Sequence, residues 1–247
     1  MEVNRISTGI GGLDEMIDGG IPEGHIVVLR APTGAGKTTT ALQFLYSSLQ
    51  KGLTCTFISS SMDEENILRM ARNYGWNFGE YLEEGLITIK FIPPIITEVE
   101  PLQRAMKYNR TSPEDFRIEV ISEQFEGLIR FLAMTDSRVV VIDSLSEFLL
   151  LAGDEVTRRG YLLHIYNILR NKKATTLINI EEEFFTEEAE IFADGVIHFQ
   201  RLQSLKRGEV NYLVEIIKMR LSNHSKEIRE YKITSEGIKI FSKYGVI

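Results

Sequence analysis

Short apolar runs alternate with longer amphipathic stretches along most of the chain. The apolar runs are rich in β-branched residues, and we interpret them as buried strands over residues 25–30, 54–58, 86–92, 139–143 and 173–180. Between several of them, apolar residues recur at helical spacing, which predicts helices over residues 39–49, 63–74, 116–135 and 156–170. This alternation is typical of the α/β class, so we expect a mostly parallel sheet flanked by helices.

The alternation ends at Asp194. Beyond this residue, four segments have the character of strands joined by polar turns, at residues 195–200, 210–219, 228–233 and 238–241. We therefore expect an antiparallel extension of the sheet. The chain contains no internal repeat, which predicts a single domain over residues 1–247. Residues 93–113 interrupt the pattern with prolines and are interpreted as an insertion, either a functional loop or a variable decoration.

Composition narrows the class of protein. With 247 residues, 43% of them hydrophobic and 26% charged, the chain can bury a substantial core. Its net charge of −7 argues against a constitutive nucleic-acid-binding protein, because such proteins usually carry a basic surface. Cys55 is the only cysteine, so neither a disulfide nor a cysteine-based metal site is available. No apolar run is long enough to span a membrane, and we expect a soluble, cytoplasmic protein.

The sequence APTGAGKT, residues 31–38, lies between the first predicted strand and the first long helix. It has the relaxed form of a phosphate-binding loop, or Walker A motif. Glycines let phosphates reach backbone N–H groups, a lysine meets the β- and γ-phosphates, and a hydroxyl residue ligates Mg²⁺. Ala31 stands where glycine is usual, which requires a negative φ there. The residues expected to contact the nucleotide are Thr33, Gly34, Ala35, Gly36, Lys37, Thr38 and Thr39.

Asp143 ends the apolar run VVVID at residues 139–143. A strand that is buried on both faces and ends in an acidic residue, well downstream of a phosphate-binding loop, has the form of a Walker B motif. Ligands of open α/β sheets bind at the carboxyl ends of the strands. We therefore expect Asp143 and Thr38 to hold Mg²⁺ together at this edge.

Several motifs together resemble the KaiC and RadA-like branch of the RecA superfamily. Besides the phosphate-binding loop, they are RISTGI (5–10), GLD (12–14), GGIPEG (19–24), KMRLSNH (218–224) and EYKITSEGI (230–238). The resemblance extends from Arg5 to Ile240 and implies a RecA-like P-loop NTPase core that binds ATP with Mg²⁺. It also implies a homo-oligomer, a ring or a filament, with ATP at the subunit interfaces.

The resemblance implies roles for three further residues. Glu181 ends a predicted strand where similar proteins carry Gln or Glu, which implies that it senses the γ-phosphate or the attacking water. Lys218 and Arg220 match the Lys and Arg that reach the neighbouring subunit's nucleotide in KaiC-like proteins. A cation supplied in this way stabilises charge on the γ-phosphoryl group. The alternatives are a solvated strand face for the two cations and a solvated acidic run for Glu181.

One departure from the family pattern concerns a pair of glutamates after the second strand, the first of which orients or deprotonates the attacking water. Here Ser61 and Met62 replace the pair, and neither can act as a general base. Asp63 and Glu64 follow directly, and a shifted loop could bring one of them to the water. Acidic residues also favour a helix N-terminus, which explains them without a catalytic role. We therefore expect ATP binding with slow or regulated hydrolysis.

Three functions remain open at this point. The first is a Mg²⁺-dependent KaiC/RadA-like ATPase, with catalytic residues Lys37, Glu64, Glu181, Lys218 and Arg220. The second is a RadA-paralog-like recombination mediator, which would bind single-stranded DNA or a recombinase through Lys206 and Arg207 or through residues 93–113. The third is a nucleotide-gated signalling scaffold without useful turnover, motivated by Ser61 and Met62.

Overall fold

The computed structural model describes residues 3–93, 125–152, 154–184, 186–203 and 210–241. Its strands are Arg5–Ile6 (β1), Ile21–Pro22 (β2), Ile26–Ala31 (β3), Cys55–Ser59 (β4), Ile87–Phe91 (β5), Val139–Asp143 (β6), Thr175–Glu181 (β7), Gly195–Gln203 (β8), Val210–Met219 (β9), Arg229–Thr234 (β10) and Gly237–Ile240 (β11). Its helices are Gly11–Met16 (α1), Lys37–Leu49 (α2), Glu64–Asn73 (α3), Phe78–Glu83 (α4), residues 125–134 (α5), Ser146–Leu151 (α6), Glu155–Lys172 (α7) and Thr186–Phe192 (α8).

The main sheet of the described residues has nine strands in the order β11-β10-β9-β8-β3-β7-β6-β4-β5. The strands from β8 to β5 in this order run parallel. The strands β9, β10 and β11 extend the sheet in antiparallel pairs, and β1 pairs with β2 in a separate ribbon. This topology confirms the predicted α/β fold with a mostly parallel sheet and an antiparallel extension.

Apolar layers cover both faces of the sheet. The central strands β3, β4, β6 and β7 are buried along nearly their whole length, because helices pack on either side of them. Val27 and Phe57 face the layer formed with α1, α2 and α3, whereas Val28 and Ile142 face the layer formed with α5, α6 and α7. Polar residues therefore gather where the parallel strands end, at the carboxyl edge of the sheet.

The antiparallel extension packs against the start of α2. Tyr231 on β10 is buried, and its hydroxyl donates a hydrogen bond of 2.6 Å to the carbonyl of Ala35. A Cβ atom at Gly36 would lie 3.0 Å from Ile238 and 3.1 Å from Ile233. The extension thus braces the turn between β3 and α2 from the side opposite to solvent.

Some elements differ from the sequence-based expectations. The helices α4, α6 and α8 were not predicted. Asn77 and Glu80 do form a helix-start signal for α4, and the Asn77 amide donates a hydrogen bond of 2.7 Å to the Glu80 carboxylate. The helix expected over residues 116–135 is described only from residue 125. Apart from Pro93, the stretch 93–113 lies outside the described residues, as do Lys206 and Arg207. No helix in the described ranges is long and apolar enough to cross a membrane.

Candidate functional site

Residues 32–36 form a glycine-rich turn between the central strand β3 and the long helix α2. Gly34 and Gly36 have φ values of 79° and 92°, a left-handed conformation that glycine adopts without steric cost. Ala31 is not among the described residues with positive φ, so the condition for alanine at this position is met. No described side chain caps the N-terminus of α2, so the first backbone N–H groups of this helix are available to an anion.

Lys37 points back into this turn. Its side chain is buried, and Nζ donates hydrogen bonds to the carbonyls of Ala31 at 2.9 Å and Pro32 at 3.1 Å. Nζ also lies 2.8 Å from Oε1 of Glu181 at the end of β7, the strand next to β3. The other carboxylate oxygen of Glu181 accepts a hydrogen bond from Thr33 at 3.2 Å. The structure therefore brings three of the predicted site residues together.

The remaining loop residues differ in what they present. Thr33 and Gly34 are exposed, whereas Ala35 and Thr39 are buried. The Thr39 hydroxyl lies 3.2 Å from the hydroxyl of Tyr74 and is used in that hydrogen bond. Thr39 can therefore offer a phosphate its backbone N–H, but its side chain faces the protein interior.

Asp143 is the last residue of β6 and is almost completely buried, at 4% exposure. Its Oδ1 accepts a hydrogen bond of 2.8 Å from the Asn179 amide, while its buried Oδ2 has no hydrogen-bond partner among the residues that the structure describes. Burial raises the pKa of Asp143 above its ordinary value of 3.8, and the charge of Glu147 raises it further. Interactions with Asn179, Thr38 and Lys37 lower this pKa.

This carboxylate fits a magnesium site. A buried carboxylate oxygen without a partner is energetically costly, and a cation supplies the partner that it lacks. Thr38 is close enough to Asp143 to affect its pKa, as a shared metal site requires. Mg²⁺ is usually held by one or two protein oxygens together with phosphate and water oxygens. The described residues hold no group of three or more His, Cys, Asp or Glu side chains that could bind a metal ion by themselves.

The acidic residues after β4 make no polar contact with the loop within the described ranges. Glu64 is the first residue of α3 and is exposed. Asp63 is the N-cap of this helix, and its Oδ1 accepts a hydrogen bond of 2.9 Å from the Asn66 N–H. No hydrogen bond or ion pair joins Glu64 to the turn at 32–36 within the described ranges. Ser61 is exposed and Met62 packs against the apolar layer, and neither side chain carries a charge.

Lys218 and Arg220 lie towards the amino edge of the sheet, opposite to the phosphate-binding loop. Lys218 pairs with Val196, which pairs in turn with Val28 of β3. Lys218 is thus two strands to the side of β3 and roughly 10 Å before the loop, at about 3.3 Å per residue. Arg220 lies further out, where its N–H donates to the carbonyl of Asp194 at 2.9 Å. The two backbone positions are therefore remote from the loop of their own chain.

The side chains of both cations contact the segment before β8. Lys218 Nζ donates to the carbonyl of Glu190 at 2.6 Å, and Arg220 Nη1 lies 2.9 Å from Oδ1 of Asp194. Burial lowers the pKa of Lys218, and the charge of Arg220 lowers it further, while Asp194 and Glu190 raise it. Arg220 is largely exposed, at 58% of its side chain, so it is accessible from outside the chain.

A buried polar network around His198 was missed by the sequence analysis. His198 on β8 is 6% exposed, with Nε2 at 2.7 Å from Glu182 and Nδ1 at 2.8 Å from Glu215. Gln200 donates to the same Glu215 oxygen at 2.7 Å. Glu182 follows Glu181 directly, so the network runs from the edge of the loop into the antiparallel extension. Two polar residues inside the otherwise apolar run 195–200, His198 and Gln200, were the signal in the sequence.

A lysine-containing phosphate-binding loop after a central strand, with a carboxylate at the end of a nearby parallel strand, defines a P-loop protein of the RecA-like type. The comparisons agree with this class. The family model described as "ATPase: KaiC" matches residues 6–244. The chain therefore belongs to the KaiC family of ATPases.

Individual relatives span nearly the whole chain. The UPF0273 protein MK0039 of Methanopyrus kandleri is 30% identical over 97% of this chain and 93% of its own length. Circadian clock protein KaiC2 of Synechocystis is 23% identical, and the match covers 97% of this chain but 39% of that protein. The crystal structure of the KaiC-like protein PH0186 from Pyrococcus horikoshii OT3 superposes with a TM-score of 0.74 and 28% identity, covering 97% of this chain and all of that one.

Proposed function

We propose that this chain is a Mg²⁺-dependent ATP-binding protein that hydrolyses ATP slowly as a single domain and assembles with ATP at its subunit interfaces. The observation that carries the proposal is the position of Lys37 between the loop carbonyls and Glu181, beside the buried and incompletely paired carboxylate of Asp143. The KaiC family match supports nucleotide binding. A location in the cytoplasm, where ATP and Mg²⁺ are available, is part of the proposal.

In this proposal, the loop residues bind and orient the phosphates. The backbone N–H groups of residues 33–39 and the ammonium of Lys37 donate hydrogen bonds to phosphate oxygens. Asp143 and the hydroxyl of Thr38 would hold Mg²⁺, which neutralises phosphate charge when it is bound. The Lys37 ammonium donates hydrogen bonds to loop carbonyls, and a phosphate can replace these acceptors. The buried side chain therefore already directs the ammonium to the anion site.

Glu181 is the nucleotide sensor in this proposal, which its contacts with Lys37 and Thr33 support. It now pairs with Lys37 and accepts from Thr33, and both of these residues are expected to turn to the phosphates. A bound γ-phosphate therefore competes with Glu181 for the same donors. Release of the Glu181 carboxylate would report nucleotide binding to Glu182 and the His198 network that follows it.

Lys218 and Arg220 act across the subunit interface in this proposal. Their distance from the loop of their own chain supports a role towards a neighbouring nucleotide. Arg220 can reach such a nucleotide only by leaving Asp194, an exchange of one anionic partner for another. The assembly would then be head to tail, because the two halves of each site lie on opposite edges of the sheet.

Binding of Mg²⁺·ATP by wild type and by Lys37→Ala tests the proposal directly. We expect calorimetric titration to show at least tenfold weaker binding for Lys37→Ala, or about 1.4 kcal/mol, because the loop loses its only ammonium. Lys51→Ala is the matched control, since Lys51 lies exposed in the turn after α2. Equal affinities of wild type and Lys37→Ala, with both proteins folded, would contradict the proposal.

A nucleotide-gated scaffold is the second candidate, favoured by the exposed Ser61 and the apolar packing of Met62. It shares ATP binding with the first proposal and differs only in turnover. Measured ATP hydrolysis that is abolished by Asp143→Ala excludes the scaffold, and tight binding without hydrolysis supports it. The recombination-mediator hypothesis stays a prediction, because its DNA-binding segments lie outside the described residues apart from Pro93.

A further inference from the structure

The segment that carries Ser61 and Met62 in place of the glutamate pair lies beside another carboxylate, that of Glu147. Ser61 and Met62 follow β4, which pairs directly with β6 so that Ser59 lies opposite Asp143. Glu147 stands in the first turn of α6, shortly after Asp143. The Glu147 side chain reaches Ser60, the residue that directly follows β4.

Two serines hold one oxygen of this carboxylate. The hydroxyl of Ser60 lies 3.1 Å from Glu147 Oε2, and the hydroxyl of Ser144 lies 2.5 Å from the same oxygen. Ser60 in turn accepts a hydrogen bond of 2.9 Å from the backbone N–H of Ser144. The other oxygen, Oε1, makes no hydrogen bond or ion pair with any residue that the structure describes. A carboxylate fixed through one oxygen can present the other to a water molecule.

The two carboxylates of this site differ in their surroundings. Asp143 is almost completely buried and interacts with Thr38 and Lys37, which suits a metal-binding role. Glu147 is only partly buried. Its charge raises the pKa of Asp143, so the two groups share one local environment. Different solvation of two nearby carboxylates is the usual basis for giving them different tasks.

Other acidic residues are less suitable for activating water. In the ligand-free structure both oxygens of Glu181 are engaged, Oε1 with Lys37 and Oε2 with Thr33, and in the proposed function this residue acts as the nucleotide sensor once a γ-phosphate takes these donors. Glu64 is exposed at the start of α3, and Asp63 is used as the cap of that helix. Glu147 alone among these combines a fixed oxygen, a free oxygen and electrostatic contact with Asp143.

We infer that Glu147 is the water-activating carboxylate of this protein and replaces the glutamate lost at Ser61. The inference rests on the proposed ATPase function. In the reaction, the oxygen of a water molecule bonds to the γ-phosphorus while one of its protons moves to Oε1 of Glu147. The bond between the γ-phosphorus and the β,γ-bridging oxygen breaks, and its electron pair leaves with ADP. Glu147 then gives the proton to solvent, so that ATP and water yield ADP, phosphate and a proton.

The test compares turnover with affinity in Glu147→Gln. Glutamine keeps the size of the side chain and a carbonyl oxygen for the two serine hydroxyls, but it cannot accept the proton. We expect kcat to fall by about 100-fold or more, the usual contribution of a general base, while the Kd for Mg²⁺·ATP stays within about twofold. Glu155→Gln, an exposed glutamate on α7, is the matched control and should behave as wild type.

Each other outcome has a defined meaning. Wild-type turnover in Glu147→Gln, or a comparable loss in Glu64→Gln, overturns the assignment. Tight Mg²⁺·ATP binding by a wild type that shows no turnover also overturns it but leaves the ATP-binding proposal intact. Absence of Mg²⁺·ATP binding by wild type refutes the proposed function itself. A fall in kcat that coincides with a lowered Tm and a weakened Kd would show that Glu147 is structural.

Discussion

At the scale of a single residue, the buried carboxylate of Asp143 lowers the stability of the ligand-free protein and, in the proposed function, serves to bind Mg²⁺. Its carboxyl is buried, and one oxygen has no hydrogen-bond partner in the described part of the chain. Because burial raises the pKa of this group, its ionisation at neutral pH costs folding free energy until a cation offsets the charge. In the proposed function, the residue is therefore suboptimal for the protein without Mg²⁺ and suited to the protein with it.

Asp143→Asn should separate these two effects. We expect the nucleotide-free variant to have a higher Tm at neutral pH than wild type, with each kcal/mol worth roughly 2 to 4 °C for a chain of this size. Saturating Mg²⁺·ATP should stabilise wild type by about 2.7 kcal/mol at a hundredfold excess over Kd, and the variant by much less. Thermal unfolding with and without Mg²⁺·ATP measures both quantities.

The sign of the pH dependence follows from the raised pKa. The folded protein keeps the Asp143 proton at pH values where the unfolded chain has already lost it, so stability falls as the pH rises through the folded pKa. The Tm gain of Asp143→Asn should therefore shrink as the pH is lowered towards 3.8, the ordinary value. Asp154 is the control, because its hydrogen bonds with Thr157 lower its pKa. Asp154→Asn must not raise the Tm; a gain equal to that of Asp143→Asn would contradict the burial argument.

At the scale of elements, the antiparallel extension supports the phosphate-binding loop. We expect Tyr231→Phe to cost about 1 to 3 kcal/mol of stability, because the buried carbonyl of Ala35 loses its donor. The same change should weaken Mg²⁺·ATP binding several-fold, since Ala35 lies within the loop. Denaturant unfolding and calorimetric titration measure the two effects separately.

Tyr212→Phe is the matched control for Tyr231→Phe. Tyr212 on β9 packs against Tyr231 with ring centroids 5.4 Å apart, and the described residues offer its hydroxyl no hydrogen bond. Removing this hydroxyl should therefore leave both stability and ATP affinity nearly unchanged. Equal behaviour of the two variants would show that β10 does not brace the loop.

The fold was predictable from the sequence to the extent that single segments determine it. Strands β6 and β9 have the bounds that their residue patterns predict. Strand order is not encoded in such patterns, and it is strand order that places Ser60 beside Glu147, 87 positions along the chain. The His198 network was not predicted for the same reason, because its partners come from separate segments of the chain. Glu64 was favoured by proximity in sequence, whereas the structure describes it on an exposed helix end.

At the scale of the whole molecule, the two edges of the parallel sheet carry different halves of the proposed site. The carboxyl edge holds the loop and Asp143, and the amino edge holds cations. Besides Arg220, that edge has a cleft of about 680 Å³ lined in part by the basic residues Arg138, Arg170, Lys172 and Lys173. Asp194 also lines this cleft and pairs with Arg220. One molecule therefore presents an edge with the phosphate-binding loop and an edge that carries cations, as the proposed head-to-tail assembly around a nucleotide requires.

Mixing two inactive variants tests whether the cations act across the interface. Lys37→Ala lacks a working loop but keeps both cations, and the double variant Lys218→Ala/Arg220→Ala keeps the loop. If each site combines two chains, a one-to-one mixture should regain about a quarter of the wild-type ATPase activity, because random neighbours rebuild that share of interfaces.

The mixture distinguishes action within a chain from action between chains. Cations that served their own loop would leave every site defective in any mixture, and activity would stay at the sum of the two variants. Lys37→Ala mixed with Lys37→Ala/Arg69→Ala is the control, since Arg69 lies exposed on α3 and no loop is restored. Light scattering must show that the variants still assemble, because only then does missing recovery contradict the trans arrangement. Recovery that disappears on dilution, together with the assembly, would place Lys218 and Arg220 at the neighbouring nucleotide.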